Sequence, residues 1–282
     1  MFQFIQGLKY KIARLIERNP HLNLFFYDKA LYFSFLLPHE KDYYGIKLLL
    51  KSNKSNIFLD IGGNNGMSTR GFKKLGFSNP IYVYEPNKFL FKKYLINLSN
   101  KFNNVKIFNF GLGSKNTSLN IFTPFVGNTC LHYFSSLNKK YILDSVKLTS
   151  NKYLKYIKIK KSKIKVKKFD DLIIDGKIDF VKIDVEGFDH EVIKGMRKTI
   201  SRHKPIFLVE YNNENIKEIY YHLRSYSSYF YNFKKNKLYK ITLAELKKKA
   251  FYIGRSNKKN LLSSRNIFFL PKKIENYSKA IK

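Results

Sequence analysis

A chain of 282 residues with 44% hydrophobic content can bury one large core, which excludes a globally disordered protein. A single cysteine, Cys130, excludes an intramolecular disulfide and points to a reducing, cytoplasmic setting. The formal charge of +34, from 54 basic and 20 acidic side chains, suits acidic partners such as nucleic acid, anionic lipid or an acidic glycan. The same surplus of Lys, Asn, Ile, Phe and Tyr, with no Trp, is what an AT-rich coding sequence produces. Charge therefore bears on partners and solubility, not on reaction type.

Residues 1–52 read as an N-terminal helical extension with a break at Pro38. Phe4, Leu8, Ile12, Leu15 and Ile16 recur at helical spacing with Lys and Arg between them. They are too scattered for a signal-peptide core. The densest apolar stretch, ALYFSFLLP, is about half of the ~20 residues that a membrane span needs. The N-terminal helix is expected to pack on its own domain, with peripheral contact to an anionic membrane surface as the alternative.

From residue 53 onward a strand–loop–helix rhythm sets in. NIFLDI (56–61) is a short apolar strand, and MSTRGFKKLG (67–76) a helix ended by Gly76. IYVYE (81–85) is the next strand, with Pro86 opening the helix NKFLFKKYLINLSN (87–100). NVKIFNFGLG (104–113) reads as a third strand closed by glycines. Residues 114–178 interrupt the rhythm as an inserted hairpin and strand region. There SLNIFTP (118–124) is a hairpin arm, and YIKIKKSKIKVKKF (156–169) alternates apolar residues with lysine. The lysine row is read as a solvated strand face that resists edge-to-edge pairing, with an acidic substrate or a bilayer as the alternative. The rhythm then resumes with the strand IDFVKIDVEG (178–187), the helix FDHEVIKGMRKTISRH (188–203) and the strand KPIFLVEYNNEN (204–215). NIFFLPKK (266–273) supplies a last strand. Short apolar strands alternating with helices predict an α/β, Rossmann-like domain over residues 53–282: a mostly parallel sheet with helices on both faces.

In such sheets ligands bind beyond the carboxyl ends of the strands. The stretch DIGGNNG (60–66) is placed there. Glycines let a ligand approach the backbone, and the following helix start offers unpaired N–H groups. Gly62, Gly63 and Gly66 do not fit the dinucleotide spacing G-x-G-x-x-G, and no G-K-[ST] follows for a phosphate loop. Glu85, at the end of the next strand, can accept both hydroxyls of a ribose. Asp60 would repel a pyrophosphate but can hold a cationic amino-acid end, directly or through water. The combination suits S-adenosylmethionine, with its ammonium, carboxylate and sulfonium.

At these residues the chain resembles the FkbM-type S-adenosylmethionine-dependent methyltransferases. The resemblance is carried by DIGGNNG (60–66), YEPN (84–87), NVKIFNFGLG (104–113), VKKFDDL (166–172), VKIDVEG (181–187) and KPIFLVE (204–210), in the family's order. It implies a class I methyltransferase fold with a seven-stranded sheet. It also implies a cofactor site drawn from Asp60, Gly62, Gly63, Asn64, Gly66, Glu85, Pro86, Asn109, Gly111 and Asp184. Gly63 and Gly111 stand where alanine is frequent in the family.

The resemblance further implies methyl transfer to a hydroxyl oxygen, with a sugar in a glycan or glycolipid as acceptor. Asp184 and Glu210 are the catalytic candidates, since a sugar hydroxyl must lose a proton. Asp184, Glu210 and Asn212, converging from adjacent strand ends, form an oxygen-rich set that could hold Mg²⁺ or Mn²⁺. His190, at a helix start, is a weaker base candidate. Cys130 has no base at a recognisable spacing, so a nucleophilic role is not expected. Two other readings stay open: an RNA methyltransferase using the basic surface, although no RNA-binding signature is present, and a non-catalytic basic surface-binding protein on a methyltransferase fold.

Overall fold

The computed structural model describes residues 40–150, 154, 156–212, 214–248 and 266–272. The expected N-terminal amphipathic helix and the ALYFSFLLP stretch lie outside these residues. The chain divides into two compact units. Pro38–Leu119 and Lys163–Lys282 form the sheet unit, and residues 120–162 belong to the other.

The sheet unit opens with helix α1 (Tyr43–Leu49). Then come β1 (Ile57–Ile61), α2 (Met67–Lys74) and β2 (Ile81–Tyr84). Helix α3 starts as Lys88–Leu90, widens to a π-helical turn at Phe91–Leu95 and ends as Ile96–Lys101. β3 (Val105–Phe108) and β4 (Gly111–Gly113) follow. The expected single strand over 104–113 is therefore two. The Asn109 amide donates to the carbonyls of Glu85 at 2.9 Å and Pro86 at 3.3 Å, which holds the chain at the end of β2. β4 then pairs in parallel with the end of β7 (Ile157–Lys168) instead of extending β3.

β8 (Ile178–Ile183) returns to the main sheet, and β9 (Ile206–Glu210) follows after a helical crossover. The helix expected over 188–203 is two pieces, which we number α5 (Asp189–Lys194) and α6 (Arg197–His203). They part at Gly195, where a Cβ would lie 1.9 Å from the Gly113 carbonyl oxygen. Asp170, in the turn Phe169–Asp171, caps α6 by accepting from the N–H groups of Lys198 and Thr199 and from the Thr199 hydroxyl. Helix α7 (Ile216–His222), β10 (Tyr226–Asn232), β11 (Lys237–Lys240), helix α8 (Leu243–Lys248) and β12 (Asn266–Pro271) complete the unit.

The main sheet has eight strands in the order β11-β10-β12-β9-β8-β1-β2-β3. β9, β8, β1, β2 and β3 are mutually parallel. β12 is antiparallel to both β9 and β10, so β10 runs with the parallel set. The sheet has one strand more than the seven expected. The eighth, β11, is an antiparallel edge paired with β10, and both its ends are lysines, as suits an exposed edge.

Each strand alternates its apolar residues between two cores. Phe58, Phe180, Leu208 and Phe268 meet α1, α2 and α3 through Tyr43, Ile46, Phe72 and Leu95. Leu59, Ile61, Val181, Ile183, Val209 and Ile267 meet α5 and α7 through Val192, Ile193, Ile216 and Ile219. A sheet buried on both faces explains the near-continuous apolar runs. Rings reinforce the first core: Phe58 lies 5.1 Å from both Phe77 and Phe180, and Tyr43 lies 5.0 Å from Phe72.

In the smaller unit, Phe125 and Val126 of β5 (Thr117–Val126) pair antiparallel with β6 (Thr129–Cys130). Val126 and Leu131 form a small cluster against Phe134 and Ile157. Helix α4 (Lys139–Ser150) buries Ile142 and Val146. Cys130 is buried and reduced. No helix among the described residues is long and apolar enough to cross a membrane.

Candidate active site at the carboxyl edge of the sheet

The glycine loop crosses the ends of three strands. The N–H groups of Gly62 and Gly63 donate to the Tyr84 carbonyl at 2.9 and 3.1 Å, which ties the loop to β2. The Asp184 N–H donates to the Ile61 carbonyl at 3.0 Å, which ties it to β8. Gly62 has φ +85°, and a Cβ there would stand 1.9 Å from the Asp184 carbonyl oxygen. Only a residue without a side chain permits this crossing. Gly66, with φ +80°, is the N-cap position of α2.

Glu85 closes the loop from the end of β2. One carboxylate oxygen accepts from the Asn64 N–H at 2.8 Å, and the other from the Asn87 N–H at 2.7 Å. The side chain is 5% exposed. Burial pushes its pKa up to about 7, against those two hydrogen bonds, which favour the charge. Beside it, Asn64 Oδ1 and Asn65 Nδ2 are buried without a hydrogen-bond partner. Pro86 and Asn109 meet at this same strand end, and Gly111 packs beside Pro86. The structure thus brings Gly62, Gly63, Asn64, Gly66, Glu85, Pro86, Asn109 and Gly111 together.

Asp60, near the end of β1, is held by α2 and adjoins β8. It is 0% exposed, and Oδ2 accepts from the hydroxyls of Ser68 and Thr69, both at 2.6 Å. Its Oδ2 is thereby tied to the first turn of α2, while Oδ1 is buried without a hydrogen-bond partner. Its Oδ1 lies 3.9 Å from Nζ of Lys182, which is 2% exposed. Lys182 Nζ also reaches Asp184 Oδ2 at 3.0 Å. Burial alone would lower the Lys182 pKa, but Asp184, Asp60 and Glu40 outweigh it and hold the ammonium above the usual lysine range.

Asp184 and Glu210 do converge. Glu210 donates a hydrogen bond to Asp184 and is held well above the carboxylate range, by burial first and then by Asp184, Glu186 and Asp189. Burial, then Asp184, likewise lifts Asp189 to about 6. The expected Mg²⁺ or Mn²⁺ set of Asp184, Glu210 and Asn212 is not supported. Among the described residues no three His, Cys, Asp or Glu side chains are grouped to hold a metal ion. Asp184 is instead engaged by an ammonium and by the Glu210 proton, and Asn212 Oδ1 accepts from the Glu214 N–H at 2.8 Å. His190 Nε2 lies 3.9 Å from Glu191 Oε1. Sequence reading missed Lys182. The available signal was a lysine inside the otherwise apolar run FVKI, two residues before Asp184 and so on the same strand face.

The strand order, with a glycine loop after β1 and an acid ending β2, is that of the class I methyltransferase fold. The chain belongs to the family of the methyltransferase FkbM domain, whose model matches residues 60–234. Solved structures that the chain matches include a methyltransferase FkbM from Methylobacillus flagellatus KT, 19% identical with a TM-score of 0.45, over 67% of this chain and 44% of that one. The present chain thus spans less than half the length of that protein. A SAM-dependent O-methyltransferase from Thermotoga maritima is 12% identical with a TM-score of 0.39, over 82% and 64% of the two chains. Aeropyrum pernix fibrillarin, in complex with natively bound S-adenosyl-L-methionine, is 8% identical with a TM-score of 0.37, over 82% and 74%. No curated protein matches the chain in sequence.

Proposed function

We propose that this chain transfers a methyl group from S-adenosylmethionine to a hydroxyl oxygen of a sugar, in a glycan or glycolipid. The observation that carries the cofactor reading is the convergence at the ends of β1 and β2. There the buried Glu85 carboxylate adjoins a loop whose Asn64 Oδ1 and Asn65 Nδ2 are buried and unpartnered. Buried polar atoms without partners are rare enough to need a ligand or water. Glu85 would accept the ribose hydroxyls with lone pairs that Asn64 and Asn87 leave over, and the two amides add one acceptor and one donor. When bound, the cofactor supplies an electrophilic methyl on its sulfonium. The chain supplies position and proton transfer. Asp184, beside Lys182 and 28% exposed, would take the proton of the acceptor hydroxyl. Glu210 carries its own proton into a hydrogen bond with Asp184 and steadies it. The sugar acceptor rests on family membership.

Calorimetric titration with S-adenosylmethionine, with NAD as comparison, tests the reading. Saturable binding of S-adenosylmethionine alone is expected, weakened at least about tenfold in Glu85→Ala, the ~1.4 kcal/mol of a lost charged hydrogen bond. Absence of binding to folded protein would sink it. Binding would justify a screen of sugar acceptors with labelled cofactor.

A further inference from the structure

We propose that Lys182 is a positioning residue of the transfer site, acting through Asp184; the proposal rests on the methyl-transfer reading above. β1 and β8 are neighbours, and their register sets Asp60 beside Lys182. Paired residues of adjacent strands share a face, and Asp184, two residues on, shares it too. A continuous chain of polar contacts results. The Ser68 and Thr69 hydroxyls of α2 donate to Asp60, Asp60 lies 3.9 Å from Lys182, and Lys182 donates to Asp184 at 3.0 Å. One end of this chain is the helix that follows the glycine loop. The other is the carboxylate that meets Glu210.

Stability gives no reason for a lysine here. On the same face the sheet buries Phe58, Phe180 and Leu208. A methionine would fill the same volume without burying an ammonium, and replacing buried ion pairs by apolar residues is often neutral or stabilising. The ammonium has a local task instead. It holds the Asp184 carboxylate at 3.0 Å, on the same residue whose backbone carbonyl Gly62 packs against. Cofactor loop and proton acceptor are thereby held in one register, which is what an in-line transfer needs.

The test uses S-adenosylmethionine labelled with ¹³C at the methyl group, so that no acceptor is required. Affinity is read by calorimetry and the bound methyl resonance by NMR, in the wild type, Lys182→Met, Lys182→Arg, Asp184→Asn and the double variant Lys182→Met/Asp184→Asn. Lys182→Met is expected to keep its affinity within about threefold, a change of ~0.7 kcal/mol, while its methyl resonance moves by more than a linewidth. Lys182→Arg should return the resonance towards the wild type. In the Asp184→Asn background Lys182→Met should add nothing, since coupled residues are not additive. A methyl resonance in Lys182→Met that coincides with the wild type, or a displacement that persists undiminished in the Asp184→Asn background, would overturn the proposal while leaving the cofactor reading intact. If Lys182→Met fails to fold, Asp60→Asn/Lys182→Met removes both charges, and its resonance is compared with that of Asp60→Asn alone. If the wild type binds no S-adenosylmethionine, the functional reading falls and this proposal with it.

Discussion

The carboxyl edge of the main sheet and the second half of β7 carry charge in opposite ways. At the edge, Asp60, Glu85, Lys182 and Asp189 are buried, and each has hydrogen-bond or ionic partners around it. On β7, Lys163, Lys165 and Lys167 alternate with the buried Ile164 and Val166 and keep their ammonium groups in water. One of these lysines leans on a ring, Lys167 on Phe110 at 4.6 Å. The β7 lysines are solvated charges of the second kind, whereas the proposed chemistry uses the first. Desolvated charges need a unique geometry to be tolerated, and solvated ones do not.

The comparison breaks most sharply at the loop that organises the edge. Gly62→Ala must take a residue with φ +85° and drive a Cβ into a backbone carbonyl. Strain and overpacking together should cost about 4 kcal/mol. Gly76, with φ +87°, has nothing within 4 Å of its Cβ position, so Gly76→Ala should lose only the conformational term, about 1 kcal/mol. Denaturant midpoints of the two variants measure the difference. Equal losses would mean that the loop is free to move off β8.

Acidity separates the two regions next. Glu85 titrates near 7 in the folded chain, above the 4.5 it would have unfolded. The folded state therefore holds a proton that the unfolded state releases between those values. Its contribution to stability is fully present below about 4.5 and is lost as pH rises through about 7. Over that window the wild type should lose about 3 kcal/mol relative to Glu85→Gln, at ~1.4 kcal/mol per unit. Denaturation of both proteins between pH 4.5 and 7.5 reads the difference directly. A constant gap would show that Glu85 is ionised throughout.

Much of this organisation is legible in the sequence because it is local. The period of the apolar runs places β1, β2, β8 and β9, and the acid that ends each run marks the edge. The glycine loop and Glu85 follow from spacing alone. What was not legible depends on which segments become neighbours. Asn109 splits the third strand because its amide finds the carbonyls of Glu85 and Pro86. Gly195 parts two helices because the Gly113 carbonyl lies against it. Asp60 turns inward because Ser68, Thr69 and Lys182 meet it there. The metal expectation failed for the same reason. Strand-end carboxylates look like ligands until the lysine on the adjacent register position is seen among them.

The smallest effects belong to β7 and complete the contrast. Lys163→Ser and Lys165→Ser each remove an exposed charge with no ion pair among the described residues, so each should shift stability by less than about 0.5 kcal/mol. Lys167→Ser also removes the ammonium from the Phe110 ring, worth about 0.5–1 kcal/mol at an exposed site. Chemical denaturation of the three variants at low and high salt distinguishes these cases. The Lys163 and Lys165 variants should track the wild type more closely as salt rises, because screening already weakens what their charges do. A loss above 2 kcal/mol in either of them would give β7 a placed charge like that of Lys182, and the contrast between the two regions would no longer hold.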